Sequence, residues 1–203
     1  MKLNIGSHNV KLEGFLNVDI LELPGVDIVS DITKTPWIFM AKDQVVKDEL
    51  GQGTEAWDLS VKDNSVDEIM MVEVLEHISF HDTLKVLTEM HRVLKPGGKL
   101  HIQVPDCGSM MEMYVRGEIN PAIPHKPESV DQVLKLRNLT GGRVHPRRWL
   151  MAFCGAQKYG VPDIHKNIFT KEIMQDNLEE SGFEKIDFKE DPLGWKIKVN
   201  VVK

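Results

Sequence analysis

Between Val66 and Asp106 the chain reads as strand, helix, strand with short links, and no other stretch restricts the fold as much. Ile69-Met70-Met71-Val72 is an unbroken apolar run introduced by charged residues, the pattern of a strand buried on both faces of a parallel sheet. Ser79 stands three residues before Asp82, and Leu84, Leu87, Met90 and Leu94 follow at helical spacing, with Val86 and Val93 widening the stripe. Lys95-Pro96-Gly97-Gly98 ends that helix, because proline cannot continue it and glycine accepts the left-handed cap conformation. Leu100, Ile102 and Val104 then alternate with His101 and Gln103 as a second strand closed by Pro105-Asp106. A helical crossover of this length joins parallel strands in the right-handed sense, so Glu73 and Asp106 finish on one edge. In open α/β sheets that carboxyl edge is where ligands bind.

The amino-terminal part adds three short strands. Leu3-Asn4-Ile5-Gly6 is followed by the small or polar residues Ser7-His8-Asn9; Asn17-Val18-Asp19-Ile20 and Asp27-Ile28-Val29-Ser30-Asp31 follow. If these strands are parallel, Asp19 and Asp31 join Glu73 on the ligand edge. Only ten residues separate Gly6 from Asn17, the lower limit for a parallel crossover, so the first helix is lost or reduced to a turn. Thr35-Pro36 reads as a helix start and Gly51 as its stop, with loop from Gly51 to Ser65.

After Asp106 the pattern is irregular: a short helix over Ser109 to Arg116, a link holding Pro121, Pro124 and Pro127, a helix over Ser129 to Arg137, then Gly141-Gly142-Arg143-Val144-His145-Pro146-Arg147-Arg148 and an apolar helix near Trp149 to Phe153. Long irregular segments inside compact domains are usually functional loops, so 107–167 is expected to be a lid over a substrate pocket. Regularity returns where Thr170 caps a helix carrying Ile173, Met174 and Leu178, stopped by Gly182. Ile186 and Phe188 form a strand, Asp191-Pro192-Leu193-Gly194 a turn, and Trp195, Ile197, Val199 and Val201 the returning strand of an antiparallel hairpin. The whole is a Rossmann-like doubly wound, mostly parallel sheet ending in that hairpin, with reduced first helices, and the 203 residues suit one domain.

A formal net charge of −6 argues against nucleic acid or an anionic membrane as partner. Cys107 and Cys154 are the only cysteines and form no CxxC pair, so neither a thiolate zinc site nor a disulfide framework is indicated, no metal is expected, and a reducing cytoplasm is the default compartment. No apolar run approaches the roughly 18 residues of a membrane span.

The order of motifs resembles the class I S-adenosylmethionine-dependent methyltransferases, and most closely their small type-11-like group. The motifs are Leu3-Asn4-Ile5-Gly6-Ser7-His8, Gly14-Phe15-Leu16-Asn17-Val18-Asp19, Asp63-Asn64-Ser65-Val66-Asp67-Glu68-Ile69, Val74-Leu75-Glu76-His77, Leu94-Lys95-Pro96-Gly97-Gly98 and His165-Lys166-Asn167-Ile168-Phe169-Thr170. The chain departs from the group at His8, where the group's turn has its second glycine, and over 37–55, which the group passes more quickly. The resemblance implies S-adenosylmethionine as cofactor. Gly6, Ser7 and His8 would lie beside its methionine part, Asp19 on the ribose hydroxyls, Asp31 and Ile32 at the adenine, and Glu73 near the methionine amino group.

Glu76 and His77 read first as a helix start. If a general base is used, His77, Asp106 and His165 are the candidates. Arg143 and Arg147, with Arg148 beside them and Gln157 further on, are candidates for holding a phosphate or carboxylate of a small, anionic or sugar-like acceptor. A catalytically silent S-adenosylmethionine-binding module is the alternative function. A nicotinamide-dependent oxidoreductase fits worst, since Gly6 lacks partner glycines and Asp19 follows after only 13 positions where about 20 is usual.

Overall fold

A computed structural model of the protein describes residues 1–40, 46–47, 53–54, 58–118, 146–155 and 164–203. Its strands are β1 (Lys2–Ile5), β2 (Leu16–Asp19), β3 (Ile28–Val29), β4 (Ile38–Met40), β5 (Val46–Lys47), β6 (Gly53–Thr54), β7 (Asp58–Ser60), β8 (Val66–Val72), β9 (Leu94–Pro105), β10 (Lys185–Lys189) and β11 (Lys196–Val202). Its described α-helices are α1 (Phe80–Val93), α2 (Cys107–Val115), α3 (Pro146–Cys154) and α4 (Lys171–Glu180), and a 3₁₀ turn at Leu75–His77 leads into α1. The predicted helix over Ser129 to Arg137 lies outside the described residues.

Seven strands form the main sheet in the order β10-β11-β9-β8-β1-β2-β3. β11 is antiparallel to both β9 and β10, and the remaining neighbours are parallel. Leu3, Ile5, Val18, Ile69, Met71, Leu100 and Ile102 bury into one core with Val86, Leu87, Met90 and Val93 of α1 and Met174 and Leu178 of α4. Each such side chain contributes roughly 1.5–3 kcal/mol on burial, so the apolar stripe, more than helix propensity, holds α1 in place. Met70 and Val72 depart from the expected two-sided burial. They face a cavity at the sheet edge, and Val72 is 42% exposed.

The first crossover is helix-free, as its length requires, and a polar network replaces the missing helix. Asn17, fully buried, accepts from Leu12 N at 3.0 Å and Asn4 Nδ2 at 2.9 Å, and donates to Asp27 Oδ2 at 2.8 Å. Buried amides are tolerated when every lone pair and proton has a partner, and here the partners fix the loop between two parallel strands.

The predicted helix from Thr35 does not form. Trp37 and Phe39 are buried while Ile38 is exposed, a period of two, and β4 pairs antiparallel with β7. The cause is tertiary: Glu89 of α1 accepts from Trp37 N at 2.6 Å, and Trp37 Nε1 donates to the Ile32 carbonyl at 2.9 Å, so this backbone is committed elsewhere before a helix can take it.

Candidate functional site

A cavity of about 1120 Å³ opens at the carboxyl edge of the sheet. One side is built from the turns after β1, β2 and β3. Gly6 takes φ +67°, and a Cβ there would sit 2.1 Å from Val74 Cγ2, so both conformation and space demand glycine. Ser7 follows, buried, with a hydroxyl that has no hydrogen-bond partner among the described residues. Asp19, at the end of β2, accepts from His8 N at 2.7 Å through one oxygen and from Leu21 N at 2.8 Å through the other. Each oxygen keeps a lone pair for a ligand. Asp31 accepts from the backbone N–H and hydroxyl of Thr33 at 3.0 and 2.7 Å. Burial raises its pKa, but these bonds, with Lys34 and Lys166 nearby, outweigh that and hold it below the usual carboxylate value.

The other side joins two motifs that are far apart in sequence. The Glu76 carbonyl accepts from Lys166 N at 2.8 Å and Asn167 N at 3.1 Å, and Asn167 Nδ2 donates to Thr83 Oγ1 at 3.0 Å. This strap brings His165 against His77, their ring centroids 4.9 Å apart and nearly perpendicular. His77 Nδ1 bonds the Ile164 carbonyl at 3.2 Å and His165 Nδ1 the Ala152 carbonyl at 3.0 Å. Burial lowers the His165 pKa; the Ala152 bond opposes the shift and the neighbouring His77 adds to it. Between the rings and the core lies Glu76, 1% exposed, with neither carboxylate oxygen hydrogen-bonded among the described residues. Burial first, and the charge of Glu73 second, push it up to about 8, and its own backbone N–H only softens the shift. Glu73 itself, at φ +57°, pairs with Lys196 and accepts from Gln103 Nε2 at 3.2 Å.

Residues 16–102 match the family described as Methyltransferase domain (Methyltransf_11). The seven-strand order, with its antiparallel end, matches solved structures along the whole chain. It aligns with 1,6-didemethyltoxoflavin-N1-methyltransferase of Burkholderia thailandensis, solved with 1,6-didemethyltoxoflavin and S-adenosylhomocysteine, at TM-score 0.53 and 11% identity over 100% of this chain and 70% of that one. A SAM-dependent methyltransferase from Archaeoglobus fulgidus aligns at TM-score 0.52 and 16% identity over 100% and 85%. The fold is therefore that of class I methyltransferases, and the family match lies within its amino-terminal half. The methyl donor of that family is S-adenosylmethionine. Among curated proteins, an uncharacterised protein of Methanocaldococcus jannaschii is 36% identical over 72 residues, which span 36% of this chain and 30% of that protein's length. No described helix is long and apolar enough to cross a membrane.

In this fold, Gly6, Ser7, His8, Asp19, Asp31, Ile32, Glu73, His77 and His165 all line the one cavity. Asp106 does not. Its carboxylate caps α2, accepting from Ser109 N at 3.0 Å and Ser109 Oγ at 2.8 Å. Arg143 and Gln157 lie outside the described residues, as do the side chains of Arg147 and Arg148, although both arginines belong to α3. Sequence reasoning passed over Lys196 and Trp195, which line the cavity from β11 and the turn before it, and Lys166 opposite. It also read Glu76 as a helix start. The signal for Glu76 was the Glu73-Val74-Leu75-Glu76-His77 string itself, with more carboxylates than a helix start needs.

Proposed function

We propose that the protein is a methyltransferase that transfers the methyl group of S-adenosylmethionine to a hydroxyl of a small, anionic or sugar-like acceptor. The observation that carries this reading is the cavity. At about 1120 Å³ it exceeds the usual 300–1,000 Å³ of a single-ligand pocket, which leaves room for cofactor and acceptor together. In this reading the orphaned Ser7 hydroxyl and the Gly6 turn take the methionine part. The spare lone pairs of Asp19 take the ribose hydroxyls, Asp31 and Ile32 the adenine, and Glu73 the amino group.

The acceptor belongs on the wall of Met110, Met151, Ala152 and Trp195, where apolar faces suit a sugar ring and Lys166 supplies a cation for an anionic group. That wall supports reading 107–167 as its cover within a single domain. Net charge −6 disfavours a polynucleotide.

The donor is a sulfonium, already activated, so in-line positioning supplies much of the rate, up to about 10⁵–10⁸ M in effective molarity. His77 and His165 stand where a base is useful. Both donate Nδ1–H to a carbonyl, which leaves Nε2 with its lone pair.

Titration with S-adenosylhomocysteine, followed by a screen of sugar nucleotides, sugar acids and small hydroxylated acids for S-adenosylhomocysteine release, tests the reading. Asp19→Asn is expected to weaken cofactor binding by roughly 1.5–3 kcal/mol through the lost charge-assisted bonds. Cofactor binding with no turnover on any acceptor would favour a silent binding module, and turnover only on RNA or DNA would overturn the acceptor.

A further inference from the structure

We infer that Glu76, His77 and His165 bind a divalent first-row transition cation in the cavity wall. One carboxylate oxygen and one ring nitrogen from each histidine lie within 4.8 Å of one another. Metal–ligand distances of about 2.0–2.2 Å put three donors around one ion about 3.3–3.8 Å apart, so the set closes on a cation with side-chain movements of up to about 1 Å.

Two independent features say that this is more than proximity. Glu76 is buried to 1% exposure with both oxygens unpartnered among the described residues, and it bonds neither histidine. A buried acidic group in that state calls for a partner that the described residues do not supply. The histidines are also prepared in the way ligating histidines are. A carbonyl only accepts, so the contacts to Ile164 and Ala152 place the proton of each ring on Nδ1, which turns Nε2 into the donor atom and fixes the ring. The Ala152 carbonyl accepts from Cys107 Sγ at 3.3 Å as well, a second restraint on the carbonyl that orients His165. Of the charges nearby, Lys196 is matched by Glu73, so it does not stand against a cation.

Two imidazoles and one carboxylate favour manganese, iron, cobalt or zinc over magnesium or calcium, and three protein ligands leave positions open for an oxygen ligand. The role of the ion rests on the function proposed above, whereas its binding does not. With the ion bound, Nε2 of His77 and of His165 are ligands and no longer bases, so an acceptor hydroxyl on the ion would lose its proton to solvent. Its oxygen then forms a bond to the methyl carbon while the carbon–sulfur bond breaks and its electron pair stays on sulfur, giving a methyl ether and S-adenosylhomocysteine.

The test uses the full chain, stripped with EDTA and dialysed, and titrated with MnCl₂ followed by electron paramagnetic resonance, with ZnCl₂ as competitor. The expected result is about one equivalent of Mn²⁺ displaced by Zn²⁺, with Mg²⁺ at least tenfold weaker and Glu76→Gln and His165→Ala each at least tenfold weaker than the parent. Circular dichroism and S-adenosylhomocysteine binding in the same variants report that they are folded. Should Glu76→Gln fail that control, His165→Ala and His77→Ala carry the comparison. Absence of stoichiometric Mn²⁺ and Zn²⁺ binding by the parent, or parental affinity in the folded variants, overturns the site. Metal binding without S-adenosylhomocysteine binding leaves this inference standing and removes the proposed function; the opposite pattern does the reverse.

Discussion

Two buried glutamates flank the same helix and are treated in opposite ways. Near the end of α1, Glu89 is 5% exposed; one oxygen accepts from Trp37 N at 2.6 Å and Arg92 Nη2 at 2.6 Å, the other from Arg92 Nε at 2.8 Å. Arg92 continues to Asp63 and to the Val61 carbonyl at 2.7 Å. In the turn before α1, Glu76 is as deep and bonds nothing among the described residues. Burial raises the pKa of both carboxyls, yet Glu89 ends below its ordinary value because its partners win, and Glu76 ends at about 8 because burial and the Glu73 charge outweigh its own backbone N–H and Lys196. The first fastens β4 to α1 and is complete without any ligand. The second weakens the fold by itself, which is what a residue kept for a ligand does.

Removing the complete one is expected to have the largest effect. Glu89→Ala strands the Trp37 N–H and the Arg92 guanidinium, and should lower unfolding free energy by about 3 kcal/mol in a urea titration. Glu89→Gln, which keeps an acceptor, should cost about half of that. A loss under about 1 kcal/mol for Glu89→Ala would erase the contrast on which this reading depends.

Acid should sharpen the contrast with a smaller effect. The pKa of Glu89 in the folded state lies below 4.5, its ordinary value, because the Arg92 and Trp37 bonds outweigh burial. Its stabilisation is therefore fully present above about pH 4.5 and is lost as pH falls through the folded value. Asp27, Asp31 and Asp191 are lowered too and titrate in the same sense. Urea midpoints of parent and Glu89→Gln, measured from pH 7 downward, should keep a constant gap to about pH 4.5 and converge below it. A gap that widens on acidification would contradict the assignment.

How much of this was legible in the sequence depends on the range of each cause. β8, α1, β9 and the β10–β11 hairpin follow from periods of two and 3.6 and from Gly97 and Gly194, signals carried within a dozen residues. The Gly6 turn and the position of Asp19 are local as well, and the ten-residue crossover was limited by chain length alone. Thr35-Pro36 misled because a good helix start is a weak preference, and a carboxylate 52 positions later claimed the Trp37 N–H. Asp106 misled in a readable way: Ser109, three residues on, makes it a helix cap, and a capping carboxylate is already bonded. The meeting of Glu76 and His77 with His165 had no local signal. It is made by the backbone N–H groups of Lys166 and Asn167 reaching the Glu76 carbonyl 90 and 91 positions back.

The incomplete glutamate gives the smallest effect in magnitude and the only one of opposite sign. Glu76→Met conserves length and removes two buried oxygens that have no partner. In EDTA this variant should be about 1 kcal/mol more stable than the parent, because an apolar group of similar shape avoids the cost of the orphaned carboxyl. Adding MnCl₂ should reverse the order: a ligand bound only by the native state stabilises by RT ln(1 + [L]/Kd), about 2.7 kcal/mol at one hundred times Kd, and only the parent has the site. Urea titrations of the two proteins with and without the ion measure both differences. A Glu76→Met variant that loses in EDTA as much as Glu89→Ala would mean that Glu76 fastens the fold just as Glu89 does, and the distinction between the two ends of α1 would be gone.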